Sequence, residues 1–269
     1  MLAQPKRSHL NRAISKLGLG SRTMADSWIK AGQVRVNGLI TIDPEFWVEI
    51  GTDKIEVDGL VTAGVEPKRG HVYILMHKPA GYVTTRSDEL GRKTVYDLLP
   101  ANLRTNLGSN VGQSSKSNAA GQWIFPVGRL DKESEGLLLL TDDGEWANLL
   151  TDPAFHVGKT YRVKLDKKPM EHELAAFRSG LMLEGRLTLP ARVREEDGGW
   201  YQVVITEGRN RQIRKMFHAL GYKVKRLVRI SIGSLELGEL PVGETRLLEL
   251  MDTEKLRDEA LRQGTSHRL

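Results

Sequence analysis

From Val72 to about Leu250 strand and helix signals alternate, and the turns between them favour hairpins over parallel crossovers. Strands are expected at Val72 to His77, near Trp123 to Val127, at Leu137 to Thr141 and at Thr160 to Leu165, with two more flanking Gly198-Gly199. Helices are expected at Val95 to Leu99, at Glu145 to Leu150 before Asp152-Pro153, after Pro169, and at Asn210 to Leu220 before Gly221; further strands run to about Leu250. Such a pattern predicts an α+β fold on a mixed, mostly antiparallel sheet with flanking helices, rather than a doubly wound parallel sheet.

A smaller unit precedes this region, from about Ser8 to Asp58. Leu10, Ala13, Ile14 and Leu17 recur at helical spacing; Gly18 and Gly20 end that helix, and Ser21 is placed to cap a second one that closes at Gly32. Gln33 to Val36 then alternates up to Asn37-Gly38, a strong hairpin signal, and Lys54 to Val57 forms a later strand before Asp58-Gly59. Residues 1–60 are therefore read as one domain, 61–70 as a linker and 71–252 as a second domain. Residues 106–122, rich in Ser, Asn and Gly, are expected to form a mobile loop, and 253–269 a polar helix that frays into a tail.

With 269 residues, 39% hydrophobic and 28% charged, the chain has the composition of an ordinary globular protein, and its net charge of +6 favours a polyanionic partner. The absence of cysteine excludes disulfides, thiolate nucleophiles and thiolate metal sites, and the seven histidines form no HExxH pair. Asp142-Asp143-Gly144 reads as a turn, so no metal site is expected. No run of about 18 apolar residues is present and the first residues lack the apolar core of a signal peptide, so a cytoplasmic location is expected, with a monomer as the default.

Asp131, in VGRLDKESEGLLLLTDDG, stands just before a strand of buried character, with Arg129 and Lys132 nearby. That basic setting favours the ionised carboxylate a nucleophile requires, although an Asp in such a place also serves as a cap or a surface ion pair. Tyr161 on its own reads as core packing. On a helix Arg211 and Arg214 share a face, Ile213, Phe217 and Leu220 supply the buried side, and Arg209, Lys215, Lys223, Lys225, Arg226 and Arg229 extend a positive strip that suits phosphates or plain solvent. Arg22, Lys30, Arg35 and Asn37 cluster around one helix-hairpin corner of the first domain.

GRLDKESEGLLLLTDDG resembles the central catalytic motif of pseudouridine synthases, HKPAG at His77 to Gly81 their lysine-proline motif, KTY at Lys159 to Tyr161 the motif of the base-stacking tyrosine, and Glu207 to Gly233 their third motif. GSRTMADSWIKAGQVRVNG resembles the αL RNA-binding motif of a small-subunit ribosomal protein and of bacterial tyrosyl-tRNA synthetases. Together with GRKTVYDLLP and EGRNRQIR, this places the chain nearest to the large-subunit members of the ribosomal RNA pseudouridine synthases. The resemblance implies Asp131 as the catalytic residue, Tyr161 stacking on the target base, Arg214 paired with Asp131, and Arg129, Arg211 and Lys78 supporting the site. It also implies ribosomal RNA as partner, contacted by Arg22, Lys30, Arg35, Asn37, Arg209, Lys215, Lys223, Lys225 and Arg226, and a reaction without cofactor. The competing reading is a catalytically idle RNA-binding or ribosome-assembly factor with the same fold. A methyltransferase would want a glycine-rich cofactor loop after a strand, and the one glycine-rich stretch is in the wrong context.

Overall fold

The computed structural model describes residues 6–17, 19–20, 22–57, 60–62, 70–86, 88–104 and 124–266. The expected loop at 106–122, the helix stop at Gly18 and the cap at Ser21 lie outside those residues. The chain divides into two compact units, one of Met1–Val72, Pro100–Phe125 and Thr141–Gly144, the other of Tyr73–Leu99, Pro126–Leu140 and Glu145–Leu269.

In the first unit strand β1 (Lys6–His9) leads into helices α1 (Leu10–Lys16) and α2 (Arg22–Lys30), followed by β2 (Val34–Val36), β3 (Leu39–Ile40), β4 (Trp47–Ile50), β5 (Ile55–Val57) and β6 (Leu60–Thr62). Leu10, Ala13 and Ile14 of α1 and Ala25 and Ile29 of α2 are buried at helical spacing, and they meet Val34, Val36, Ile55 and Val57 from alternate positions of the strands. Asn37 and Gly38, both with positive φ (51° and 83°), form the tight turn between β2 and β3. Strand order is β3-β2-β5-β6, with β1 paired to β4. Residues 61–62, expected to begin a linker, instead belong to β6, where Val61 and Thr62 lie opposite Glu56 and Ile55. The free edge of β5 takes up this extra strand, a pairing that so short a β-branched segment does not announce. A short helix, α3 (Ala101–Arg104), also falls in this unit.

The second unit is built on a nine-stranded sheet. Its elements are β7 (Tyr73–Lys78), β8 (Phe125–Val127), β9 (Glu135–Thr141), α4 (Gly144–Thr151), β10 (Lys159–Leu165), α5 (Glu171–Ser179), a small hairpin of β11 (Met182–Leu183) and β12 (Arg186–Leu187), β13 (Arg192–Glu196), β14 (Trp200–Ile205), α6 (Gln212–Ala219), β15 (Val224–Ile232), β16 (Leu235–Glu236), β17 (Thr245–Leu247) and α7 (Leu250–Ser266). The main path runs β13-β14-β10-β15-β9-β7-β17. β9 runs parallel to β15, whereas β10 is antiparallel to both β14 and β15, and β13 to β14 and β17 to β7 are antiparallel as well. The sheet is thus mixed and mostly antiparallel, as expected.

Burial explains the two sequence patterns seen in its strands. Leu137, Leu138, Leu139 and Leu140 of β9 are all buried, as are Ile74, Leu75 and Met76 of β7, because these central strands are covered on both faces. In β10 and β14 the pattern alternates: Tyr161, Val163 and Leu165 and then Tyr201, Val203 and Ile205 are buried, as are Phe177 of α5 and Phe217 of α6, whose rings lie 4.6 Å apart. The C-terminal segment is a docked helix as far as Ser266, and residues 267–269 lie outside the described residues. Thr253, Leu256, Ala260 and Gly264 form one buried stripe of α7, the Trp146 indole donates to the Thr253 carbonyl at 3.1 Å, and a Cβ at Gly264 would come within 2.6 Å of the Phe155 ring. A stripe of mostly small residues carries too little apolar weight to stand out in the sequence.

Candidate active site

Asp131 sits in the loop that joins β8 to β9, on a tight turn closed by a bond from the Ser134 amide to the Asp131 carbonyl at 3.0 Å. Beneath the turn lies Lys78, the last residue of β7, with no exposed surface. Its ammonium donates to the main-chain carbonyls of Ser134 (2.8 Å), Pro79 (3.0 Å), Asp131 (3.1 Å) and Lys132 (3.4 Å). The segment after Lys78 adds two further ties. The Gly81 amide, at a positive φ of 93°, donates to the Lys132 carbonyl at 2.7 Å, and the Thr84 hydroxyl donates to the Leu130 carbonyl at 2.8 Å. HKPAG is therefore the clamp that fixes the aspartate loop. Burial pushes the Lys78 ammonium down to about 8, against the opposing pull of Asp131, Glu133 and Glu135.

The cations above the loop come from the turn before α6. Glu207 accepts from the Leu189 amide (2.9 Å), the Gln212 side chain (2.6 Å) and Arg209 (3.0 Å), which shapes the EGRNRQ segment. This turn leaves Arg211 as the residue capping α6, in a left-handed conformation (φ 54°, ψ 30°), so it does not share a helical face with Arg214 as expected. One guanidinium nitrogen of Arg211 lies 3.7 Å from Asp131 Oδ2 and 2.8 Å from Glu133 Oε2. Bonding to Arg211 holds the Glu133 carboxyl below its usual range. Arg214, expected as the aspartate's partner, instead donates to the carbonyls of Val224 (3.2 Å) and Glu133 (3.3 Å). The cause is its position one turn into the helix, where the guanidinium meets the end of the loop and the start of β15 first. Burial, and then Arg211, pull the Arg214 guanidinium below its ordinary value, with Asp131 acting in the opposite direction.

Tyr161, on β10, is 8% exposed and faces Arg229 of β15 in antiparallel register. Arg229 faces Gly136 of β9 on its other side. A Cβ at Gly136 would fall 2.2 Å from the Arg229 carbonyl oxygen, so the glycine, with φ 104°, is what lets β9 approach β15. The sequence groups Arg229 with the positive strip, yet it is 3% exposed and its Nε donates to the Leu137 carbonyl at 2.7 Å. Lys159, two residues before Tyr161 and on the same side of β10, is pushed down to about 8 by burial and by Arg229. A carboxylate on a rigid loop with guanidinium groups beside it can open a glycosidic bond and steady the charge that develops.

Residues 72–219 match the family described as RNA pseudouridylate synthase. The chain belongs to this family. It is 36% identical over 255 residues to the ribosomal large subunit pseudouridine synthase B of Bacillus subtilis, covering 92% of this chain and 95% of that one. The protein of that name in Salmonella typhimurium is also 36% identical over 255 residues, with 81% of its length covered. A solved structure titled as a pseudouridylate synthase is 31% identical and superposes with a TM-score of 0.63 over 92% of this chain.

The positions expected to meet RNA divide into two groups. In this pseudouridylate synthase Arg209 is tied to Glu207 and to the carbonyls of Arg186 and Leu187, Lys215 pairs with Glu184 at 2.7 Å, and Arg226 makes a two-pronged pair with Glu135 at 2.8 and 2.9 Å. These three are tied to other protein groups, Lys215 and Arg226 to carboxylates 31 and 91 residues away and Arg209 to its near neighbour Glu207 and to the β12 carbonyls. Arg22, Lys30, Lys223 and Lys225 are exposed, as is Arg129 beside the aspartate loop. Asn37 spans the hairpin to Asp53 (2.9 Å) and Lys54 (2.9 Å), and Arg35 donates to the Gly38 carbonyl at 3.2 Å, so both also shape the turn. Glu133, Thr84 and the burial of Arg229 are the features of the site that sequence reasoning missed. Among the described residues no His, Cys, Asp or Glu cluster is placed to hold a metal ion, and no helix is long and apolar enough to cross a membrane.

Proposed function

We propose that this protein converts a specific uridine of ribosomal RNA to pseudouridine, in a stem-loop of large-subunit RNA or of its assembly precursor, acting as a cytoplasmic monomer. The observation that carries the reading is the Asp131 loop, gripped from below by the buried Lys78 and approached from above by Arg211 at 3.7 Å. The reaction breaks the bond between C1′ and N1 with the electron pair leaving on uracil. The base turns, its C5 bonds to C1′, and the proton lost from C5 is balanced by one gained at N1, so nothing is oxidised and no group is lost. Asp131 either adds to the sugar or removes a proton from it, Tyr161 supports the face of the base, and the arginines keep the carboxylate charged. The first unit, with exposed Arg22 and Lys30, contributes affinity and choice of site through phosphate contacts.

Mapping pseudouridines in ribosomal RNA from cells with and without the gene tests the reading, with Asp131→Asn reintroduced as the comparison. One uridine should remain unmodified in the deletion and in the Asp131→Asn strain. An unchanged map in both would favour the idle RNA-binding factor.

A further inference from the structure

Arg229 is a buried cation of the second unit that the proposed reaction has not used. Its Nε is satisfied by the Leu137 carbonyl, while its Nη2 is buried and has no hydrogen-bond partner among the described residues. Buried guanidinium donors are normally satisfied, and a buried cation is normally paired with a carboxylate; here neither holds for Nη2. Two further cations lie within electrostatic reach, Lys78 and Lys159, and each is made more acidic by Arg229. Strand register fixes where the group lies. Tyr161 and Arg229 face each other across β10 and β15, so their side chains leave the sheet on the same side. The bond from Arg229 to Leu137 carries its guanidinium over β9, beside Gly136, which has no side chain, and within electrostatic reach of the Lys78 that holds the Asp131 loop.

We propose that Arg229 is a catalytic residue that donates from Nη2 to a carbonyl oxygen of the departing uracil and stabilises its negative charge. This inference rests on the proposed uridine isomerisation. When the C1′–N1 bond breaks with both electrons on the base, the uracil anion spreads its charge over N1, O2 and O4, whichever role Asp131 plays at the sugar. A preorganised cation in a water-poor site favours that anion over neutral bound uridine, so it acts on the bond-breaking step. Where that oxygen is O4 the contact also selects uracil, because the amino group at position 4 of cytosine does not accept from such a donor.

The test uses full-length protein and large-subunit ribosomal RNA transcribed with uridine or with 5-fluorouridine. Single-turnover loss of the target nucleoside is followed by nuclease digestion and chromatography. Fluorine makes the base a better leaving group, so a protein deprived of charge stabilisation should depend on it more. Arg229→Gln should slow loss of uridine by about 100-fold or more, and that defect should shrink at least tenfold with 5-fluorouridine, with RNA affinity retained. Equal slowing for both bases means a merely structural role, and a normal rate means none; either result overturns the proposal. Should Arg229→Gln not fold, wild-type protein acting on RNA made with 2-thiouridine or 4-thiouridine gives the answer, because sulfur accepts hydrogen bonds poorly. Slowing with one of the two supports the contact, and unchanged rates with both overturn it. Wild-type protein that converts no uridine at all would instead count against the proposed function itself.

Discussion

The Lys78 ammonium donates to the main-chain carbonyl of Asp131 at 3.1 Å, so the proposed nucleophile and the lysine of the neighbouring strand are joined through backbone rather than through side chains. Lys78 sets where the carboxylate points and leaves the carboxylate itself free to react. Lys78→Met should therefore cost stability, about 1–3 kcal/mol for carbonyls left without a donor, and about 100-fold in single-turnover rate through misplacement of the loop. RNA affinity should stay within about twofold, since the first unit and the exposed cations are untouched. Urea unfolding and single-turnover assays of the same preparation check this, and a normal rate in a destabilised protein would remove Lys78 from the site.

The same burial gives a pH dependence. Lys78 titrates at about 8 in the folded protein against 10.5 in the unfolded chain. Between those values the unfolded chain holds the extra proton, so this group makes stability rise with pH, not fall. The rate should move the other way, because a neutral amine has two donors for the carbonyls where the ammonium has three. An alkaline limb near pH 8 in the single-turnover rate, without a matching drop in thermal stability, is the expected outcome. Lys159 also titrates at about 8, so the limb should persist in Lys159→Met if Lys78 is its source.

Gly136→Ala would drive a methyl group to 2.2 Å from the Arg229 carbonyl oxygen, at a backbone φ of 104° that disfavours alanine. Strands β9 and β15 must then separate, and the Asp131 loop moves with β9. A loss of about 2–4 kcal/mol is expected, at the high end for one added methyl. Gly144→Ala is the control, since a Cβ there meets nothing within 4 Å at the start of α4. Thermal unfolding of the two variants should differ clearly; equal melting would show that the two strands can separate freely.

Sequence carried the topology-defining features because they are local. The four leucines of β9, the Asn37-Gly38 turn and the alternation along β10 each follow from neighbours a few residues apart. What it could not carry were pairings across long separations. Nothing near Arg226 in the chain reveals that Glu135 waits 91 residues away, or that Arg209 is spent on the carbonyls of the β12 hairpin. Which arginine stands next to Asp131 is illegible for a related reason. Helical spacing places Arg211 and Arg214 on one face, but the Glu207–Gln212 bond ends the turn so that the helix begins one residue after Arg211. Burial of Arg229 was illegible because a charged residue among charged residues gives no periodic signal.

The two arginines of the α6 segment should separate by what each removal disturbs. Arg211 is 42% exposed at its side chain and lies in a left-handed conformation that is strained by about 1–2 kcal/mol for any residue but glycine. Arg211→Gly keeps that backbone while deleting the charge, so stability should hold or rise slightly, and the exposed ion pairs lost with it contribute little to folding. Its effect should appear in the rate, because Asp131 loses the cation 3.7 Å away. Arg214→Ala instead strips donors from the carbonyls of Val224 and Glu133, so stability and rate should fall together, the former by about 1–3 kcal/mol. Glu133→Gln completes the set. It weakens the competing 2.8 Å contact that holds Arg211 away from the aspartate, so the rate should be unchanged or higher. Single-turnover rates at saturating RNA, taken with unfolding midpoints for all three variants, decide the matter. A stable, fully active Arg211→Gly beside a stable, inactive Arg214→Ala would return the aspartate's partner to Arg214 and mean that the 3.7 Å contact is incidental.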